Sequence, residues 1–209
     1  MDSRSYELTS KTLNKIGFMN NERSTSLKEL EDLFAKTFLT DYRTILVGGY
    51  DEPFYLAPLG ESLAEIRFTK DYVRSAHHEI AHWCVAGLER RQQDDFGYWY
   101  APDGRSAEQQ SLFFAHEVLP QAYEWAFSLA AKLDFEVSAD NLKGRVDGVD
   151  NFKSKVLDKL LHLWQSQKFP QRAMRWIDAL KVHYNSQDIF EQNLKELLAY
   201  SCKTSLLSS

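Results

Sequence analysis

The chain has 209 residues, 44% hydrophobic and 13% aromatic, enough to bury the core of one compact domain and a tight fit for two. Its formal net charge of -5 has the wrong sign for a general nucleic-acid binder, whose affinity rests on Lys and Arg neutralising phosphates. Two cysteines, Cys84 and Cys202, cannot build a disulfide framework, no apolar run approaches the roughly 20 residues of a membrane span, and Met1 to Met19 lacks a signal-peptide core; the sequence therefore reads as cytoplasmic, with no membrane partner.

Residues 1–23 show no strong periodicity and are expected to be a weakly ordered extension. A single domain over 24–199 and a short tail at 200–209 complete the expected organisation. Ser26 with Glu29 forms a capping box ahead of Leu27, Leu30, Phe34 and Phe38, which repeat at helical spacing and predict an amphipathic core helix. Between Thr44 and Thr69 the runs Thr44 to Val47, Phe54 to Leu56 and Ile66 to Thr69 are β-prone and are divided by Gly48-Gly49, Pro53 and Pro58-Leu59-Gly60. They predict a small mixed or antiparallel sheet. A helix follows, with Thr69 as its expected cap, Asp71 in its first turn, Gly87 near its end and Arg90 and Arg91 beyond. Phe96 to Tyr100 reads as a further strand closed by a turn at Pro102-Asp103-Gly104. Ser106 and Gln109 then cap a helix that Pro120 should kink or restart. Helices around Phe152 to Trp164, Trp176 to Tyr184 and Phe190 to Leu197 make the last third helical, and the fold class is α+β.

The helix after the sheet carries His78-Glu79-Ile80-Ala81-His82. A helix advances about 100° per residue, so side chains at i and i+4 lie nearly above one another and two imidazoles at that spacing can grip one ion. Glu79 projects to the side, where it could act on a metal-bound water or steady a ligand. His77 lies about 100° around the helix and is expected to be a hydrogen-bonded neighbour. Two imidazoles do not complete a catalytic site, and a carboxylate is the usual third donor for zinc or non-haem iron. Glu117 is the best candidate, since it sits among apolar residues where an unpaired carboxylate is costly and heads a polar line with Gln121 and Glu124. Glu124 is the runner-up, with Asp95 and Asp103 more distant. Tyr98, Tyr100, Asp103 and Arg105 are candidates for a pocket wall, because a phenol supplies a hydrogen bond and an aspartate receives an ammonium group. Cys84 reads as a small core residue.

Beyond the metal motif, the run His78 to Gly87, the segments Asp95-Phe96-Gly97-Tyr98-Trp99-Tyr100 and Pro102-Asp103-Gly104-Arg105, Glu117-Val118 with Pro120-Gln121-Ala122, and Asp51-Glu52-Pro53 together resemble the elongation factor P hydroxylases of bacteria. The resemblance runs from about Leu27 to about Tyr184. It implies a metal-dependent monooxygenase, using Fe(II) and dioxygen, that hydroxylates the lysine of elongation factor P after its extension by a β-lysyl group. It also implies a centre of two histidines and one carboxylate: His78, His82 and Glu117. Common oxygenase sites place a His and a carboxylate two residues apart, with the second His much later, so 2-oxoglutarate is not implied here. A long cationic substrate side chain calls for an aromatic channel with acidic groups, which Asp95, Tyr98 and Asp103 could supply, and Arg90, Arg91 and Arg105 would suit an acidic protein partner. The rival is a zincin-like metallopeptidase holding Zn²⁺, with Glu79 as general base. The local motif alone favours that rival; the wider resemblance reverses the order.

Overall fold

The computed structural model describes residues 26–69, 72–97, 106–138 and 148–207. The extension expected at 1–23 lies outside them. The capping box at Ser26 forms with both reciprocal bonds and opens helix α1 (Leu27–Tyr42), whose buried face is Leu30, Phe34 and Phe38. Arg43 then turns the chain in a left-handed conformation and strand β1 (Thr44–Tyr50) begins at once. Strands β2 (Phe54–Leu56) and β3 (Ala64–Thr69) complete a sheet of order β1-β3-β2. β3 runs parallel to β1 and antiparallel to β2, so the sheet is mixed.

Alternation explains the sheet's orientation. Ala64, Ile66 and Phe68 of the central strand are buried, while Glu65 and Arg67 face outward and pair at 2.8 Å. The Phe68 ring lies so close to Gly48 that a Cβ there would stand 2.6 Å from it, and the Gly48 amide donates to Glu31 of α1. At the opposite edge, the outward amides of β2 and its continuation meet carboxylates: Tyr55 donates to Asp95 (3.3 Å) and Ala57 to Asp94 (2.9 Å).

Helix α2 (Val73–Val85) carries the two motif histidines and buries Ala76, His77, Ile80, Ala81, Trp83 and Cys84. Its cap is Tyr72, not Thr69, and the Tyr72 side chain makes no capping hydrogen bond among the described residues; Thr69 instead bonds Ser75 through its amide and hydroxyl. The chain leaves α2 through two 3-10 turns, Arg90–Gln92 and Asp94–Gly97. Phe96 and Gly97 therefore do not begin a strand. Asp95, Phe96 and Gly97 all have positive φ, which coils the segment so that its carboxylates reach β2 and the Phe96 ring stacks on Tyr55 at 4.2 Å.

Helix α3 (Ala107–Ala130) starts at the expected Ser106–Gln109 capping box. It runs through Pro120 without restarting. Proline removes the amide that would bond the His116 carbonyl, and His116 lies on the exposed side, where water can take that carbonyl. From Gln121 to Ala130 every residue is buried, as expected of a helix enclosed on all sides. Helices α4 (Val149–Gln165), α5 (Gln171–Tyr184) and α6 (Gln187–Leu207) pack around it, and α6 continues through residue 200 where a tail was expected. Phe34, Phe38, Trp83 and Trp176 form one aromatic cluster joining α1, α2 and α5. No helix among the described residues is long and apolar enough to cross a membrane.

Candidate metal centre

α2 and α3 pack directly against each other, and the polar line on α3 faces the histidines of α2. Two helices with mostly apolar contacts would leave such side chains unpaired, so the polar groups find one another. His78 and His82 present their Nε2 atoms 3.1 Å apart. Glu117, buried to 2% side-chain exposure, brings Oε1 to 3.3 Å from His82 Nε2 and Oε2 to 3.7 Å from His78 Nε2. Ligand atoms about 2.0–2.2 Å from one ion stand roughly 3.0–3.4 Å apart when they are neighbours in its shell. The three side chains therefore fit the donor set of a single metal ion, and they form a candidate cation group by proximity.

Glu124, one helical turn past the line's middle, sits behind His78. Nδ1 of His78 donates to its Oε2 at 2.8 Å. A carboxylate can only accept, so this bond keeps a proton on Nδ1, and it is Nε2 that gives up the ring's other proton to face the shared point. Burial opposes charge on His78, but the hydrogen bond and charge of Glu124, with Glu117 and Glu79 adding to it, raise its pKa to about 10. Burial likewise opposes charge on Glu117; His82, His78 and Gln121 outweigh it and hold the carboxyl down at about 2. Glu79, half-buried beside the histidines, has its pKa raised by burial, which the neighbouring imidazoles only partly offset. Asp95 is raised too, first by burial, although the Tyr55 amide and His82 pull the other way.

His77 is not the hydrogen-bonded neighbour the sequence suggested. Neither ring nitrogen has a partner among the described residues, the side chain is fully buried, and it lies edge-on to Phe127 and Trp176. Burial drives its pKa to about 3, so it is a neutral core ring. Cys84 is buried and free, as expected of a core residue. Arg90 and Arg91 serve the chain itself: Arg90 donates to the Phe96 carbonyl, and Arg91 to that of Ala86. Arg172 of α5, which the sequence did not single out, reaches the Ala86 and Cys84 carbonyls at the end of α2 and lies over the Trp83 ring at 4.7 Å. Two cations thus meet the negative end of the histidine helix. Tyr98, Tyr100, Asp103 and Arg105 lie outside the described residues.

Two histidines and a carboxylate from adjacent helices, on an α+β frame, define a candidate metal-dependent enzyme. Residues 33–194 match the family model for elongation factor P hydroxylase. The elongation factor P lysine hydroxylase of Haemophilus influenzae is 42% identical over 164 residues, which cover 78% of this chain and 91% of that protein. The chain belongs to the elongation factor P hydroxylase family, and it is an enzyme of the oxidoreductase class.

Proposed function

We propose that the chain hydroxylates the β-lysylated lysine of elongation factor P in the cytoplasm, with Fe(II) held by His78, His82 and Glu117 and with dioxygen as cosubstrate. The observation that supports this reading most is the convergence of those three donors in a chain of this family. Bound iron would supply activation of dioxygen toward a C–H bond. One oxygen atom enters the substrate as a hydroxyl group, and the other leaves as water with two electrons and two protons from an external reductant.

The remaining work falls to the chain. Glu124 holds the Nδ1 proton of His78 and so keeps the ring's other nitrogen turned to the site. Asp95 stands near His82 on a coiled segment, where a carboxylate can receive a substrate ammonium group and fix its depth. Substrate-binding roles are also assigned to Tyr98, Asp103 and Arg105, which lie outside the described residues. A long cationic side chain loses much rotamer freedom on binding, so docking of the whole factor must contribute to positioning it.

The test is mass spectrometry of β-lysylated elongation factor P after treatment with iron-loaded enzyme, dioxygen and a reductant. One added oxygen atom is expected on the extended lysine and none on free lysine. No addition by fully loaded enzyme overturns the proposal. The raised pKa of Glu79 beside the histidines also suits the general base of a zinc peptidase, and Glu79→Gln separates the two. Hydroxylation should persist in that variant; peptide cleavage by the zinc form, abolished by Glu79→Gln, favours the peptidase.

A further inference from the structure

Gln121 is completely buried between the candidate centre and the segment that follows α3. Its Oε1 accepts from the Ser138 amide at 2.9 Å, and its Nε2 donates to the Ser138 carbonyl at 2.8 Å. A backbone donor and acceptor on one residue read both ends of the side-chain amide, so the amide has one orientation and cannot flip. Its second N–H then points at one partner, Oε2 of Glu117, at 3.2 Å. With Oε2 held, the Glu117 carboxylate turns Oε1 toward His82.

The segment supplying Ser138 is itself fastened. Phe135 stacks on Trp125 of α3 at 4.7 Å, and Arg74 of α2 donates to the Glu136 carbonyl at 2.6 Å. Residues 133–138 thus form a strap across both helices of the centre. From this we infer that Gln121 is a positioning residue, which transmits the strap's backbone geometry to the Glu117 carboxylate and sets the plane in which that carboxylate meets a metal ion. The chemical need is plain: a carboxylate has two equivalent oxygens and a free rotor, and one fixed N–H selects a single presentation.

The inference rests on the reading of Glu117 as a ligand, so the experiment separates the two. The full-length protein is titrated with Co(II) against a competing chelator, and its ligand-field absorption is recorded. Gln121→Leu, which keeps the volume and removes the donor, should weaken Co(II) binding by about 10- to 100-fold and alter the absorption bands. Ser138→Pro removes the amide that orients Gln121 from the exposed strap, and should produce part of the same loss. Combining the two should add nothing to Gln121→Leu alone, because both break one clamp. Wild-type affinity and spectrum in folded Gln121→Leu overturn the inference; if that variant does not fold, wild-type affinity in Ser138→Pro does so. Glu117→Ala is the control: a loss there with none in Gln121→Leu sinks the positioning role alone, whereas wild-type binding in Glu117→Ala sinks the ligand reading beneath it.

Discussion

His77 and His78 are consecutive residues of one helix with the same ring, and the protein treats them as opposites. His77 turns toward Trp176 and Phe127, finds no hydrogen bond among the described residues, and is pushed to a pKa of about 3. His78 turns toward α3, meets Glu124 and Glu117, and is raised to about 10. Burial disfavours charge on both rings. What separates them is the neighbouring surface, apolar in one direction and carboxylate-lined in the other. The helix therefore has a face that holds it in place and a face that carries the candidate metal centre, about 100° apart.

The strongest break in this comparison is on the holding face. Trp176→Ala, which empties the centre of the aromatic cluster, should cost about 3–5 kcal/mol of stability, read from urea unfolding. On the chemical face, His78→Ala, His82→Ala or Glu117→Ala should each weaken metal binding by more than about 100-fold, beyond the loss typical of a residue that merely orients a ligand, while the unfolding transition stays cooperative. Retained metal and turnover in Glu117→Ala would rule that residue out. A third effect follows from protons. His78 is raised from 6.5 to about 10, so at neutral pH an incoming ion must displace a proton from it. Metal affinity should accordingly rise by up to about tenfold per pH unit from pH 6 to 8, measured by chelator competition; a flat profile contradicts the assignment.

The smallest effect sharpens the contrast. Unfolded His77 takes up a proton below pH 6.5 and the folded ring does not until about pH 3, so acid favours unfolding through this group and stability is lost as pH falls across that window. His77→Leu should remove that contribution and, by eliminating a buried imidazole with no partner among the described residues, leave stability at pH 7 unchanged or about 1 kcal/mol higher. Unfolding at pH 5 and pH 7 checks both halves, and unaltered Co(II) binding shows that the chemical face is untouched.

Much of this was legible along the chain because it is local. The histidine spacing, the capping boxes at Ser26 and Ser106 and the line through Glu117, Gln121 and Glu124 all follow from a helix's own period. What escaped depends on partners distant in sequence. The sequence offers Glu124 as the runner-up ligand but not its contact with Nδ1 of His78, 46 residues away. The Ser138 strap and the reach of Arg172 to the end of α2 leave no periodic trace at all. Phe96 has strong β preference, but the pull of the Asp94 and Asp95 carboxylates toward β2, with Gly97 supplying positive φ, wins locally. Pro120 shows the reverse: of the kink or restart that its missing amide proton predicts, the restart does not occur, and the helix runs on from Ala107 to Ala130.

The edges of the small sheet carry a separate consequence. An open edge strand offers its amides to any passing chain and invites aggregation by strand addition. Along β2 the outward positions are Pro53, which has no amide proton, Tyr55, whose proton goes to Asp95, and Ala57, whose proton goes to Asp94. On the other side Glu31 takes the amide of Gly48. The same acidic turn that stands beside the candidate centre thus denies neighbouring molecules a template, and Asp94→Ala, which removes the acceptor of the Ala57 amide, would loosen that protection at the sheet edge without removing a candidate metal ligand.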